Sequence, residues 1–467
     1  MINKLTYKQS VAIIYAVALF LDRLDLTIVN ITLPTIAKAF KASIVTTDWI
    51  SMAFLIAMAI SIPISSWLGE NFGLKKIFVL SLFLFGLGST LCFIAPTINV
   101  LIILRFVQGI GGGMIIPIGM TFIYRLYQKS EYASITSYTF IPALIAPAIS
   151  PFLGGVLLTA IGWRYVFLFS GPICLIIAII SIFLLRELGT KEITPFDWMG
   201  FILSSLFFIV IFITLSMLRQ HGINNTSLVY IFVSIPLFVL FILREKNTVY
   251  PMINLSHFKN MIFTKANLIQ LCFQICHLGG FFLIGMYLQL GAGLSAILTG
   301  LIIGMQAIGA MTTSRLSVRL FKYKSERFPI ILGFIGVAII SPCVLIIKNQ
   351  DFLIFGIMLF IIRGAFSGLC GTPIQTLSVI GFGQKDIGKA SAVFNISRQV
   401  SISLGVAISS LLISFGLKRD ANWHIGEKMS FHQAIAIFHD SFIAISIVAI
   451  IGAIIAWTIK PKSTLSA

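Results

Sequence analysis

The sequence predicts an all-α membrane protein, and three observations lead there. Of its 467 residues, 58% are hydrophobic and only 10% charged, whereas soluble domains carry about 25% charged residues. Apolar runs of about 20 residues, long enough to cross a bilayer core as helices, recur along the whole chain. The runs are continuous, not alternating, which argues against a membrane barrel. Finally, Lys and Arg gather on one set of connections between the runs. The same composition, with 41 Phe, makes a soluble enzyme or a disordered chain untenable.

Taken in order, the runs place spans at 10–31, 47–68, 76–95, 98–124, 133–160, 164–185, 197–218, 227–243, 262–290, 294–314, 328–347, 352–380, 389–415 and 434–459. The first keeps Asp22, Arg23 and Asp25 and has no small-residue cleavage site, so it is read as a retained helix and not as a signal peptide. The eighth is the shortest. The ninth and tenth are parted only by Gly291, Ala292 and Gly293.

With fourteen spans, 21 of the 33 Lys and Arg residues fall on the side of the termini, eight on the opposite side and four inside spans. The positive-inside rule then places both termini in the cytoplasm of a multi-pass protein of the cell (inner) membrane. The net charge of +18 is thereby an orientation signal, and no nucleic-acid partner is expected. All six cysteines lie in apolar runs, so no disulfide framework is implied. Cys272, Cys276 and His277 lack a fourth ligand nearby, and no metal or cofactor is expected.

An internal echo joins spans four and twelve. Arg105, Gly109 and Gly113 recur in spacing as Arg363, Ser367 and Gly371, and a proline follows each set, Pro117 and Pro373. Parallel repeats of this kind mark transporters built from two similar halves. The offset of eight helices gives two six-helix bundles, 1–190 and 262–467. Two inserted helices and a cytoplasmic connector, 191–261, lie between them.

Ionisable residues inside a membrane are costly and point to function. The only acids well inside spans are Asp22 and Asp25. Three residues apart, they lie about 60° around the helix and share nearly one face, while Arg23 points about 160° from Asp25. A carboxylate held away from water can exchange a proton near neutral pH, and two close ones titrate as a pair. They are candidates for proton coupling or substrate handling, unless Asp22 and Arg23 merely neutralise each other or one Asp caps a broken helix. Arg23, Arg105, Arg363 and Arg398 make the interior net positive, which favours an anionic, zwitterionic or neutral amphipathic substrate over a dication. Arg105 and Arg363 could equally bind backbone carbonyls and brace their bundles. His277 is either a packing residue or a proton relay. Gln108, Gln270, Gln274, Gln306, Asn395 and Gln399 can line a cavity or join helices through hydrogen bonds. Gly109 and Gly111 to Gly113 allow close approach of helix 4. Ala146 to Gly155, with Pro147, Pro151, Gly154 and Gly155, reads as a bendable, closely packed helix 5.

On these residues the sequence resembles the major facilitator superfamily, in particular its fourteen-helix drug:proton antiporters of the EmrB/QacA/HsrA type, over nearly the whole chain. The stretch 24–34 (LDLTIVNITLP) looks like that group's helix 1 signature, which places its aspartate on Asp25. Residues 104–111 (LRFVQGIG) are similar to the helix 4 motif, whose arginine, here Arg105, is implicated in proton transfer. Helix 5 resembles the antiporter motif GPxxGPxxGG, with Ala146 and Ser150 replacing glycines. Helix 13, from Asn395 through Arg398 to Gly405, also resembles the group. The loop after helix 2 is similar to the family's GxLADRxGRK/R. Ser66, Glu70, Asn71 and Leu74 are substituted there, while Gly73, Lys75 and Lys76 are kept, so its charge-based conformational latch is altered but retains an acid and bases.

The resemblance implies a proton-coupled antiporter exporting amphipathic small molecules by alternating access. Its partners are a small-molecule substrate, protons and the lipid bilayer, with a periplasmic adaptor if the host has two membranes. The alternative is a dedicated carrier of an anionic metabolite, such as a carboxylate siderophore, in either direction. A sensor or scaffold would need a soluble domain or long tail, and a membrane enzyme would need a clustered catalytic set. Neither is visible, and no GxxxxGK[ST] loop supports nucleotide-driven transport.

Overall fold

In the computed structural model, residues 6–188, 194–221, 224–251, 253–383, 386–419 and 431–459 are described. Among them there is no strand. The long helices are α1 (Tyr7–Phe40), α2 (Ile44–Phe72), α3 (Leu74–Phe93), α4 (Ile98–Leu126), α5 (Tyr132–Ala160), α6 (Arg164–Leu184), α7 (Trp198–His221) and α8 (Asn225–Asn247). They continue with α9 (Met261–Gly291), α10 (Ala296–Tyr323), α11 (Phe328–Cys343), α12 (Leu353–Ile380), α13 (Ile387–Arg419) and α14 (Phe431–Trp457).

Eleven helices among the described residues are long and apolar enough to cross a membrane. The expected count of fourteen therefore exceeds what length and apolarity establish. The three long helices outside the eleven are α1, α5 and α10. Helix α1 carries Asp22, Arg23 and Asp25 in its middle, which lowers its apolarity.

Local chemistry sets the helix ends. Ser43 caps α2 by accepting from Thr46 N at 3.1 Å, and Asn260 caps α9 by accepting from Ile262 N at 3.0 Å. Such caps satisfy amide groups that the helix itself leaves open. Helix α1 runs well past the expected 10–31, through Pro34, and stops at Lys41, whose φ is 51°. The break between α9 and α10 falls at the expected Gly291–Gly293, where Gly293 has φ 64°. Two π-helical turns, Ile275–Gly279 and Tyr287–Gly291, interrupt α9.

Packing divides the chain into two compact units. Unit 1 holds residues 1–212, 234–256 and 382–396; unit 2 holds 213–233, 257–381 and 397–467. The division cuts through α7, α8 and α13. In unit 1, α4 packs on α2, α3 and α1, and α6 packs on α3 and α1. In unit 2, α12 packs on α10, α11 and α9, and α14 packs on α11 and α9. Each pairing recurs eight helices later.

The close approach is glycine-made in both units. A Cβ at Gly109 would strike the Phe54 carbonyl on α2, and one at Gly364 would strike the Gln306 carbonyl on α10. In lipid, where the tails are as apolar as leucine, such close packing and polar contacts hold helices together. Helix α8 is least buried, with only 17% of its apolar window covered. Phe232, Phe238 and Leu240 are exposed on it, as suits a lipid-facing helix.

Candidate functional site: two buried arginine centres

Each unit holds one fully buried arginine on the helix that the repeat predicts. In unit 1, Arg105 of α4 donates from Nη1 to Asp25 Oδ2 of α1 at 2.5 Å and to Gln108 Oε1 at 2.6 Å. Its Nε donates to the Ile50 carbonyl of α2 at 3.3 Å, and its guanidinium lies 4.3 Å from the centre of the Phe54 ring. The second oxygen of Asp25 accepts from Ser170 Oγ of α6 at 3.2 Å. Ser170 Oγ in turn lies 2.9 Å from Ser89 Oγ of α3. Asp25 and Arg105 are at most 1% exposed, so the pair is a dry, short ion pair with further hydrogen bonds, the condition under which buried charges are tolerated.

Asp22 is also fully buried, one turn earlier on α1. Arg23 Nε lies 3.5 Å from its Oδ2. Its other oxygen lies against α4, 2.9 Å from where a Cβ on Gly112 would stand. Both acids therefore face α4, as their spacing predicts. Arg23 sides with Asp22.

In unit 2, Arg363 of α12 has a different set of partners. Nη1 donates to Gln306 Oε1 of α10 at 2.6 Å, and Nη2 donates to the Cys276 carbonyl of α9 at 2.7 Å. That carbonyl belongs to the first π-helical turn. Gln306 Nε2 lies 3.2 Å from His277 Nδ1 and donates to Ser367 Oγ at 3.2 Å. The His277 ring stacks on Phe273 with centres 5.2 Å apart. No carboxylate lies within ion-pair distance of Arg363 among the described residues. Among the described residues its Nε has no hydrogen-bond partner, and neither has the nearby helix's Gln274 Oε1.

The remaining expected residues fall elsewhere. Asn395 belongs to unit 1, where Nδ2 donates to the Ser391 carbonyl at 2.8 Å and contacts Met120 Sδ at 3.3 Å. Arg398 is buried in unit 2, outside the hydrogen-bonded set around Arg363. In the α2–α3 turn, Glu70 forms an ion pair with Lys389 at 3.3 Å, and Ser66 Oγ donates to the Gly388 carbonyl at 2.9 Å. Gly73 turns the chain at φ 106°, and Lys75 N donates to Glu187 Oε1 at 3.3 Å. Lys76 is exposed. In α5 the Pro147 carbonyl accepts from Ser150 Oγ at 3.2 Å. Gly154 is buried, whereas a Cβ on Gly155 meets nothing within 4 Å. The side chain of Pro151 lies outside the described residues.

Sequence reasoning missed Ser89, Ser170 and Ser367, because serine is ordinary in apolar helices. It also missed Lys389, counted there only as an orientation charge. The Cys276 carbonyl had no signal, since a π turn leaves no mark in residue type.

Comparisons with known proteins identify the family that this helical scaffold belongs to. The sequence model of the Major Facilitator Superfamily matches residues 15–406. The chain belongs to that superfamily. It is therefore a transporter and a multi-pass helical membrane protein, from a family of transporters rather than enzymes. A curated relative from Salmonella heidelberg (strain SL476), "Putative multidrug resistance protein MdtD", is 25% identical over 419 residues, covering 88% of this chain and 89% of the relative. One from Salmonella typhi bears the same name with the same identity and coverage. Among solved structures, the human organic anion transporter MFSD10 (TETRAN) aligns with a TM-score of 0.67 at 11% identity. The alignment covers 97% of this chain and 100% of that one, and it shows a shared fold.

Proposed function

We propose that this transporter is a proton-coupled antiporter that exports amphipathic small molecules by alternating access. The observation that carries the reading is the Asp25–Arg105 pair at 2.5 Å, fully buried between α1 and α4. A proton arriving on Asp25 removes one charge of that pair and leaves Arg105 held by Gln108 and the Ile50 carbonyl. Loss of the proton restores the pair. Helices α1 and α4 are then bound to each other differently in the two states, which is what a proton must accomplish to bias a conformational equilibrium. Asp22, one turn away, is the second candidate for carrying the proton. The relatives' name, multidrug resistance protein, supports the substrate class.

The fourteen-span arrangement belongs to the same reading, since α1, α5 and α10 are each long enough to join the eleven apolar spans. An even count with the Lys and Arg bias puts both termini in the cytoplasm and the protein in the cell (inner) membrane.

One observation favours the second reading, a carrier of an anionic metabolite such as a carboxylate siderophore: Arg363 is buried with no carboxylate in reach among the described residues. Reconstituted vesicles with an imposed pH gradient separate the two. Gradient-driven movement of hydrophobic dyes supports the first reading. Movement of organic anions with no response to dyes replaces it with the second, and no response to the gradient for either class removes proton coupling.

A further inference from the structure

The internal repeat allows the two arginine centres to be compared as if one were a variant of the other. Arg105 on α4 meets a carboxylate from α1. Arg363 on α12 occupies the corresponding place against α9, and there it meets Gly280 and a main-chain carbonyl. A Cβ on Gly280 would lie 2.6 Å from Arg363 Nη2, so α9 presents bare backbone where α1 presents Asp25. The charge of Arg363 is left with an amide oxygen, one carbonyl and an unpartnered Nε. A buried cation without a counter-charge is costly. Beside it is a cavity of about 10 Å³ lined by Phe273, Cys276, His277, Phe334, Ser367 and Cys370 together with Arg363 and Val337. That is room for about one water molecule.

We propose that the Arg363 cavity is the subsite for the carboxylate head of an anionic substrate with an apolar or aromatic body. The inference rests on the transport reading and names its substrate chemistry. Gln306 Oε1 and the Cys276 carbonyl are place-holders, and an incoming carboxylate replaces them on the guanidinium and engages the free Nε. An arginine fork matches a carboxylate better than a spherical ion. Ser367 Oγ and the amide of Gln306 stand beside it as further donors, and the Phe273, His277 and Phe334 rings receive the body. The π turn of α9 is the element that yields, because its carbonyl is the partner displaced.

The test is equilibrium binding of radiolabelled benzoate to the purified full-length protein in lipid nanodiscs, with acetate, chloride and tetraphenylphosphonium as competitors. Benzoate is expected to bind, acetate to compete, and chloride and tetraphenylphosphonium not to. Arg363→Gln is expected to weaken binding about tenfold or more, the worth of a charge-assisted hydrogen bond. Gln306→Glu carries the test if Arg363→Gln fails to fold. It places a carboxylate 2.6 Å from Arg363 Nη1, imitates the unit 1 pair and should abolish benzoate binding while the unliganded protein melts no lower than the wild type. Gradient-driven transport by the same protein in vesicles reports on proton coupling independently of benzoate binding, which keeps the two readings separable. Three results overturn the proposal: no benzoate binding by a protein that shows gradient-driven transport, undiminished binding in Gln306→Glu, or equal competition by chloride.

Discussion

Replacing Asp25 by asparagine removes one charge from the Arg105 pair and almost nothing else. The amide is the same size, and its oxygen can still accept from Arg105, whose Nη1 lies 2.5 Å from Asp25 Oδ2. What is lost is the neutralisation of an arginine only 1% exposed. Stranding one partner of a buried pair costs about 3–5 kcal/mol, and because the hydrogen bond survives, the lower end is expected, about 3 kcal/mol. Arg105→Gln strands Asp25 and should cost a similar amount. The double variant strands neither, so the two losses should fall short of additivity by about 2–3 kcal/mol. Thermal unfolding of the purified proteins reads the stabilities. In vesicles, Asp25→Asn should lose uptake driven by a pH gradient while retaining substrate exchange without a gradient, since exchange needs no net proton movement. Gradient-driven transport at wild-type rate in Asp25→Asn, or strict additivity in the double variant, would refute the reasoning.

Asp22→Asn should reduce gradient-driven transport severalfold without abolishing it, because Asp22 faces Arg23 at 3.5 Å and not the Arg105 pair; loss as complete as in Asp25→Asn, in the same vesicle assay, would make the two acids one proton-carrying unit. Gly73→Ala should lower the melting temperature, at a cost of about 1–3 kcal/mol, since its φ of 106° disfavours a side chain and the new Cβ would lie 2.5 Å from Glu187 Oε2. Two glycines that look alike in sequence should respond oppositely. Gly109→Ala places its Cβ 2.8 Å from Ala57 Cβ and should destabilise by about 1–3 kcal/mol. Gly155→Ala has open space and should be neutral or stabilising by about 0.5–1 kcal/mol in the same melting series.

The sequence was most readable where a residue type is rare in its setting. A charge in an apolar run is conspicuous, so Asp22, Asp25, Arg105 and Arg363 could be singled out, and the Arg-to-Gly spacing exposed the repeat. Helix ends were legible where glycine marks them, as between α9 and α10, and not where a helix continues through a proline, as α1 does through Pro34. Partners were harder. A serine such as Ser170 is common in membrane helices and becomes informative only once its Oγ is found 3.2 Å from Asp25. Lys389 looked like one more orientation charge until it was found opposite Glu70.

The first π turn of α9 has a consequence for the rest of that helix. Each π turn accommodates one residue more than an α turn, so everything after Gly279 is rotated by about 100° from where an uninterrupted α-helix would put it. Tyr287 lies beyond that turn, and its hydroxyl donates to the carbonyls of Leu345 and Ile347 at 3.0 and 2.9 Å, just past α11. The spare residue thus sets the phase of two ends at once, offering the Cys276 carbonyl to Arg363 on one side and aiming Tyr287 on the other. Removing a single residue between Ile275 and Gly279 would take up the slack, and both attachments would be lost together.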